Sequence, residues 1–114
     1  MKENEMYINF IIESWKFSNT IDKIIDKLNE SEKKRYKSRL LWYQKQLTNT
    51  LNGFGYKFVD MSNSPYDTGM ALTPLNIDEF SQNDDLIVDY IIEPIIMDSK
   101  GNIVRTGTAM LRRK

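Results

Sequence analysis

No glycine or proline interrupts the first 52 residues, whereas four further glycines and all three prolines follow Gly53. A stretch of that length without a breaker, patterned at helical spacing, is constrained to helix, and the remainder must be organised differently. From Met6 to Leu28 apolar side chains recur at Phe10, Phe17, Ile21, Ile24 and Leu28, with Ile8, Ile11, Ile12 and Trp15 widening the stripe. Ser18-Asn19-Thr20 ahead of Asp22 offers a local cap, which leaves open one helix or two. Asn29 followed three residues later by Glu32 has the spacing of a capping box. A second helix is therefore expected from about Glu32 to Leu51, with a stripe of Tyr36, Leu40, Tyr43, Leu47 and Leu51. Asn52-Gly53 supplies its stop.

Residues 1–53 thus read as an αα-hairpin with more apolar surface than two helices hide from each other. Ile8, Ile11, Ile12 and Trp15 lie beside the first stripe, and Leu41 and Trp42 flank the second. Either the second half of the chain or a second copy completing a four-helix bundle would cover that surplus; the second copy is the leading expectation, with Ile8, Ile11, Ile12, Trp15 and Trp42 as the homodimer interface.

Residues 54–114 read as a small all-β domain of short strands. Tyr56 to Met61 is an expected strand, and Ser62 to Gly69 a loop by composition. Leu86 to Ile92 and Ile95 to Met97 flank Pro94, a residue that needs an edge or a bulge. Ile103 to Leu111 is expected to pair back across the Lys100-Gly101-Asn102 turn. The fold class is α+β.

Several functions are set aside by what the chain lacks. It has neither cysteine nor histidine, which removes thiolate chemistry, the commonest metal ligand and the usual general base near neutral pH. There is no phosphate-binding glycine loop, so no enzyme activity, cofactor or metal is expected. The acidic groups Asp84-Asp85-Asp89 and Asp78-Glu79 match no calcium-loop spacing. Sixteen basic residues balance sixteen acidic ones overall. Residues 1–55 carry ten basic and seven acidic side chains, net plus three, and residues 56–114 carry six and nine, net minus three. Lys33-Lys34-Arg35-Lys37-Arg39 offers phosphates a cationic helix start, with Tyr36, Trp42 and Tyr43 as stacking surfaces. Its plainer reading is a wet helix face, so nucleic-acid binding is the alternative rather than the leading expectation. The N-terminus has no signal-peptide layout, and no apolar run approaches the ~20 residues of a membrane span. The expectation is a soluble, cytoplasmic protein with no membrane partner.

A hairpin, then Phe54-Gly55, then a compact β-domain resembles the GrpE family, the nucleotide exchange factors of DnaK-type chaperone ATPases. In that family a Phe-Gly pair leads into the β-domain, and Pro65-Tyr66-Asp67-Thr68 is similar to its Pro-aromatic-Asp-Pro loop. Gly101-Asn102-Ile103-Val104-Arg105-Thr106-Gly107-Thr108-Ala109-Met110-Leu111 fits its closing Gly turn, apolar-Arg-Pro-Ala unit and final strand. Thr68 and Thr106-Gly107 depart from the family's prolines, and the long N-terminal coiled coil is cut to a few turns. The resemblance implies a homodimer whose β-domain grips a DnaK-like ATPase. It places Arg105, Asn102 and Leu111 at the partner contact, with Gly55 at the start of the domain. Glu93, ahead of Pro94, completes the expected docking set.

Overall fold

The computed structural model describes residues 2–114. The fold is α+β, two helices followed by two small sheets, and it divides into compact units Met1–Gly55 and Tyr56–Lys114.

The helical unit consists of α1 (Lys2–Ile25) and α2 (Glu30–Gly53). α1 is unbroken at Ser18. The Ser18 hydroxyl donates to the Trp15 carbonyl at 2.7 Å and Thr20 to that of Lys16 at 3.4 Å, back-bonds that absorb the hydroxyls inside a helix instead of capping a new one. α2 starts two residues earlier than expected. Asn29 is its cap, accepting the Glu32 N–H at 2.9 Å, while its own side-chain amide donates to the Glu32 carboxylate at 2.7 Å. The helix stop is Gly55 rather than Gly53. Gly55 takes the left-handed conformation at φ +86° and its N–H bonds the Asn52 carbonyl at 3.0 Å.

The periodicity located both helices but put the wrong face of α1 inward. Ile8, Ile11 and Ile12 keep only 2, 3 and 8 % of their surface in a single chain, and Ser18 and Ile25 are buried with them. They have almost nothing left to offer a second copy, and the dimer interface expected of them is replaced by burial within the chain. Phe10 and Phe17, expected inside, are 71 % and 64 % exposed, and Ile24 is exposed too. The physical reason is that two lines of α1 share one period. Phe10, Phe17 and Ile24 recur every seven residues, and so do Ile11, Ser18 and Ile25, one position further on. Spacing cannot choose between adjacent lines; packing can. Ser18, small and hydrogen-bonded from the Gln44 amide at 3.3 Å, lets the second line approach α2.

The β-unit holds six strands: β1 (Tyr56–Val59), β2 (Leu72–Pro74), β3 (Leu86–Glu93), β4 (Ile95–Asp98), β5 (Ile103–Arg105) and β6 (Gly107–Arg113). One sheet runs β1-β4-β5 and the other β2-β6-β3. All neighbours are antiparallel except β2 and β6, which run parallel from Leu72 opposite Gly107. β2 was not anticipated, because three residues ending in proline give no alternating pattern. The expected strand 103–111 is also two strands. β5 pairs with β4 across the turn, and the chain then crosses at Thr106 so that β6 pairs with β3 in the other sheet.

Pro94 is buried where β3 leaves one sheet and β4 joins the other, directly after a bulge between Ile91 and Glu93. A residue without an N–H suits a place where no ladder partner exists. The second crossing is packed against the first. A Cβ at Gly107 would lie 2.6 Å from the Glu93 carbonyl oxygen and 3.0 Å from side-chain atoms of Ile95 and Leu72. Around this point the core gathers Leu72, Val88, Ile95, Ala109 and Leu111, where each fully buried Leu, Ile or Val contributes roughly 1.5–3 kcal/mol. The loop 62–69 is strapped along β3, with Asn63 donating to the Val88 carbonyl and Tyr66 to that of Leu86, both at 2.8 Å. It thereby covers a sheet edge that would otherwise be open.

Gly107→Ala is expected to lower stability by about 1–3 kcal/mol, since a backbone oxygen and not a flexible side chain blocks the added methyl. Urea unfolding checks this; an unchanged midpoint would remove the close approach from the account.

Candidate docking surfaces

The five residues expected at a partner contact do not form one patch. Leu111 is 3 % exposed and belongs to the β-unit core, so it has no surface to give a partner. Its backbone is also taken. Asn76, just past β2, donates its side-chain amide to the Leu111 carbonyl and accepts the Leu111 N–H, both at 2.9 Å. The Asn76 side chain thus continues the β2 ladder on β6 after the strand itself has ended, a role no local pattern reveals.

Gly55 terminates α2 as described above. Asn102 is exposed but committed to a turn. The Asp98 carboxylate accepts the N–H groups of Lys100 and Asn102 at 2.9 Å, and the Asn102 amide at 3.3 Å. Gly101, at φ +87°, supplies the left-handed residue that this turn needs. Glu93 is half-buried at the sheet crossing, opposite Thr108, whose hydroxyl reaches its carboxylate at 3.4 Å.

Arg105 ends β5, an edge strand. The register there shifts, so that Ile103 to Arg105 spans only Met97 to Ile96 on β4. Such a bulge twists an edge and re-aims its side chains, and bulges are common beside functional sites. Ile103, two residues from Arg105, is 45 % exposed. Alternation alone does not settle which face Ile103 takes, because the register shift opposite it on β4 is a long-range feature. Leu75 and Ile77, on either side of Asn76, form a second small apolar exposure on the same unit.

The charged clusters are largely engaged within their own units. Arg112 donates to Asp89 at 3.3 Å and to the Asn63 carbonyl oxygen of the side chain at 3.3 Å. Arg113 donates to Asp84 at 3.3 Å and lies over the Phe80 ring at 5.2 Å. In the helical unit Lys37 pairs with Asp22, and that hydrogen bond holds its ammonium pKa above the usual lysine value. Lys33 approaches Asp26 at 4.0 Å, and Arg35 bonds the Tyr36 hydroxyl at 2.9 Å. Among the described residues, no group of three or more His, Cys, Asp or Glu is placed to hold a metal ion, and no helix is long and apolar enough to cross a membrane.

One exposed apolar groove lies on the helical unit. Phe17, Ile21, Ile24 and Leu28 form one wall and Tyr36 and Tyr43 the other, around a space of about 580 Å³. Trp42 stands 64 % exposed on the flank of α2, and Trp15 is half-buried. The groove has the size of a small-molecule cleft, but Arg39 is the one charged side chain among its lining residues, too little polar convergence to orient a ligand. Its hydroxyl from Ser18 is already bonded within the hairpin.

No family model, curated protein or solved structure matches this chain.

The Asp98 turn makes a pH prediction. Hydrogen bonds from the Asn102 and Lys100 backbone hold the Asp98 carboxyl below its ordinary value of 3.8. A folded-state pKa below the unfolded one means that the unfolded chain binds more protons, so the turn's contribution is present above about pH 4 and fades as pH falls through the folded value. Asp98→Asn is therefore expected to lower the Tm of the β-unit at pH 7, with the gap to wild type narrowing below pH 4. A gap independent of pH would mean that the charge of Asp98 does not matter.

Proposed function

We propose that this chain is a GrpE-like nucleotide exchange factor or adaptor, docking its β-unit on the nucleotide-binding domain of a DnaK-like ATPase while its helical unit pairs two copies into a four-helix bundle. The observation that carries this reading is the bulged edge strand β5, which sets exposed Ile103 beside Arg105 next to a turn fixed by Asp98. An apolar side chain next to a guanidinium suits a protein surface bearing a carboxylate. Asn102, Gly55 and Leu111 then act by shaping the unit, and Arg105 and Ile103 by touching the partner.

Exchange requires no covalent chemistry. A protein that binds the open-cleft ATPase more tightly than the closed form shifts the population toward the form that releases ADP, by tenfold for each ~1.4 kcal/mol of preference. The alternative, nucleic-acid binding through residues 33–39, is disfavoured by the ion pairs of Lys33 with Asp26 and Lys37 with Asp22 and by the Arg35–Tyr36 contact.

The test is the release of labelled ADP from DnaK-type ATPases of the source organism. The wild-type chain is expected to accelerate release, and Arg105→Ala to reduce the effect about tenfold, the loss of one charge-assisted contact of ~1.4 kcal/mol. Its circular dichroism should be retained, and the release assay is run below its Tm so that lost exchange is not lost folding. Binding without acceleration would leave an adaptor; no binding to any such ATPase would sink both readings.

A further inference from the structure

Two copies of this chain can meet through several faces, and the exposed groove of the helical unit selects one. We infer that the groove walled by Phe17, Ile21, Ile24, Leu28, Tyr36 and Tyr43 is covered by the same groove of a second copy, with each α1 lying antiparallel against the partner's α2. This rests on the dimer named above and deepens it, moving the interface away from Ile8, Ile11 and Ile12.

Three observations carry it. The first is period. Phe17, Ile21, Ile24 and Leu28 are spaced four, three and four, and Tyr36, Leu40, Tyr43 and Leu47 likewise. A sustained 3.5-residue spacing is the pattern that packs against another helix in a bundle. In α1 this line is not consumed inside the chain, because Ile11, Ser18 and Ile25 are the residues buried there. The exposed members of both helices face one groove, which makes the hairpin half of a bundle.

The second is charge. By sequence α1 carries four acidic and three basic side chains, net minus one, and α2 six basic and two acidic, net plus four. Two hairpins can be stacked groove to groove about a two-fold axis along the bundle or across it. The axis along the bundle places each α1 over the partner's α2, so the net charge alternates around the four helices. The axis across the bundle stacks α2 on α2 and sets the two strongly cationic helices side by side. Like-charge contact of that kind is the arrangement a specific interface avoids. Both axes leave every neighbouring pair antiparallel, so helix dipoles do not choose between them and the charge distribution does.

The third is height. The Gln44 amide reaches the Ser18 hydroxyl at 3.3 Å, so Phe17 and Tyr43 stand at the same level on the two walls. A two-fold axis along the bundle preserves level, and Phe17 of one copy therefore faces Tyr43 of the other.

The chain has no native cysteine, which makes the test direct. Phe17→Cys and Tyr43→Cys proteins are mixed and oxidised, and the disulfide-linked species are separated and identified by mass spectrometry. The expected product is the mixed Phe17→Cys/Tyr43→Cys dimer, in at least fivefold excess over the Phe17→Cys homodimer. Sedimentation equilibrium should show a wild-type dimer at 10 micromolar, and Phe17→Lys with Ile24→Lys should weaken association at least 100-fold. Both positions are exposed in the single chain, so helicity by circular dichroism should be retained. A wild-type monomer at that concentration overturns the dimer. A dimer that is cross-linked mainly between like positions, or that survives the double lysine variant, overturns this face while leaving a dimer in place. Neither measurement involves an ATPase, so ADP release stands or falls separately.

Discussion

The β-unit depends on one close approach, Gly107 against the carbonyl of Glu93. The chain crosses between the two sheets twice, at Pro94 on the way from β3 to β4 and at Thr106 on the way from β5 to β6. The two crossings must lie side by side, because β6 is hydrogen-bonded to β3 up to Thr108 opposite Glu93. Only a residue without a Cβ fits there, and only a residue without an N–H is at ease at Pro94. With the crossings fixed, β6 is held centrally between β2 and β3, and β4 between β1 and β5. Ala109 and Leu111 then point into the core that Leu72, Val88 and Ile95 complete.

The same constraint explains which parts of the fold were legible in the sequence. The division near residue 54 was readable because glycine and proline distribution reports backbone permission, a local property. Helix boundaries followed to within a few residues from the Asn29 cap and the loss of period. What was not readable was long-range. β2 is a strand only because β6 lies beside it, and Asn76 matters only because Leu111 is 35 positions away in the chain. The inward face of α1 was misread because Phe10-Phe17-Ile24 and Ile11-Ser18-Ile25 carry equal periods. A phenylalanine line looks more like a core than a line containing serine. Ser18 is nevertheless the buried one, its hydroxyl satisfied by Trp15 and Gln44, since small residues let helices approach closely.

The docking residues divide in a similar way. Those named by resemblance occupy positions in a pattern, and a pattern does not separate contact from scaffold. Leu111 and Gly55 are scaffold by burial and by φ, and Asn102 is scaffold through Asp98. Arg105 sits at a bulged edge, and its exposed neighbour Ile103 became visible only once β5 was seen to be short and peripheral. The terminal arginines are scaffold too, since Asp89 and Asp84 lie across from Arg112 and Arg113.

An exchange factor acts by preferring one conformation of its partner, and a preference can be no larger than the stiffness of the surface that expresses it. If β5 could bend to follow a closing cleft at little cost, open and closed forms would be bound alike and the population would not shift, however tight the binding. The features around β5 oppose such bending. Asp98 fixes the turn before it with three accepted hydrogen bonds, β4 beside it is the central strand of its sheet, and β6 after it is locked at Gly107. In the proposed complex, the residues that do not touch the partner set how much discrimination Arg105 and Ile103 can deliver. On this reading, loosening the Asp98 turn reduces exchange even where affinity for the ATPase is retained.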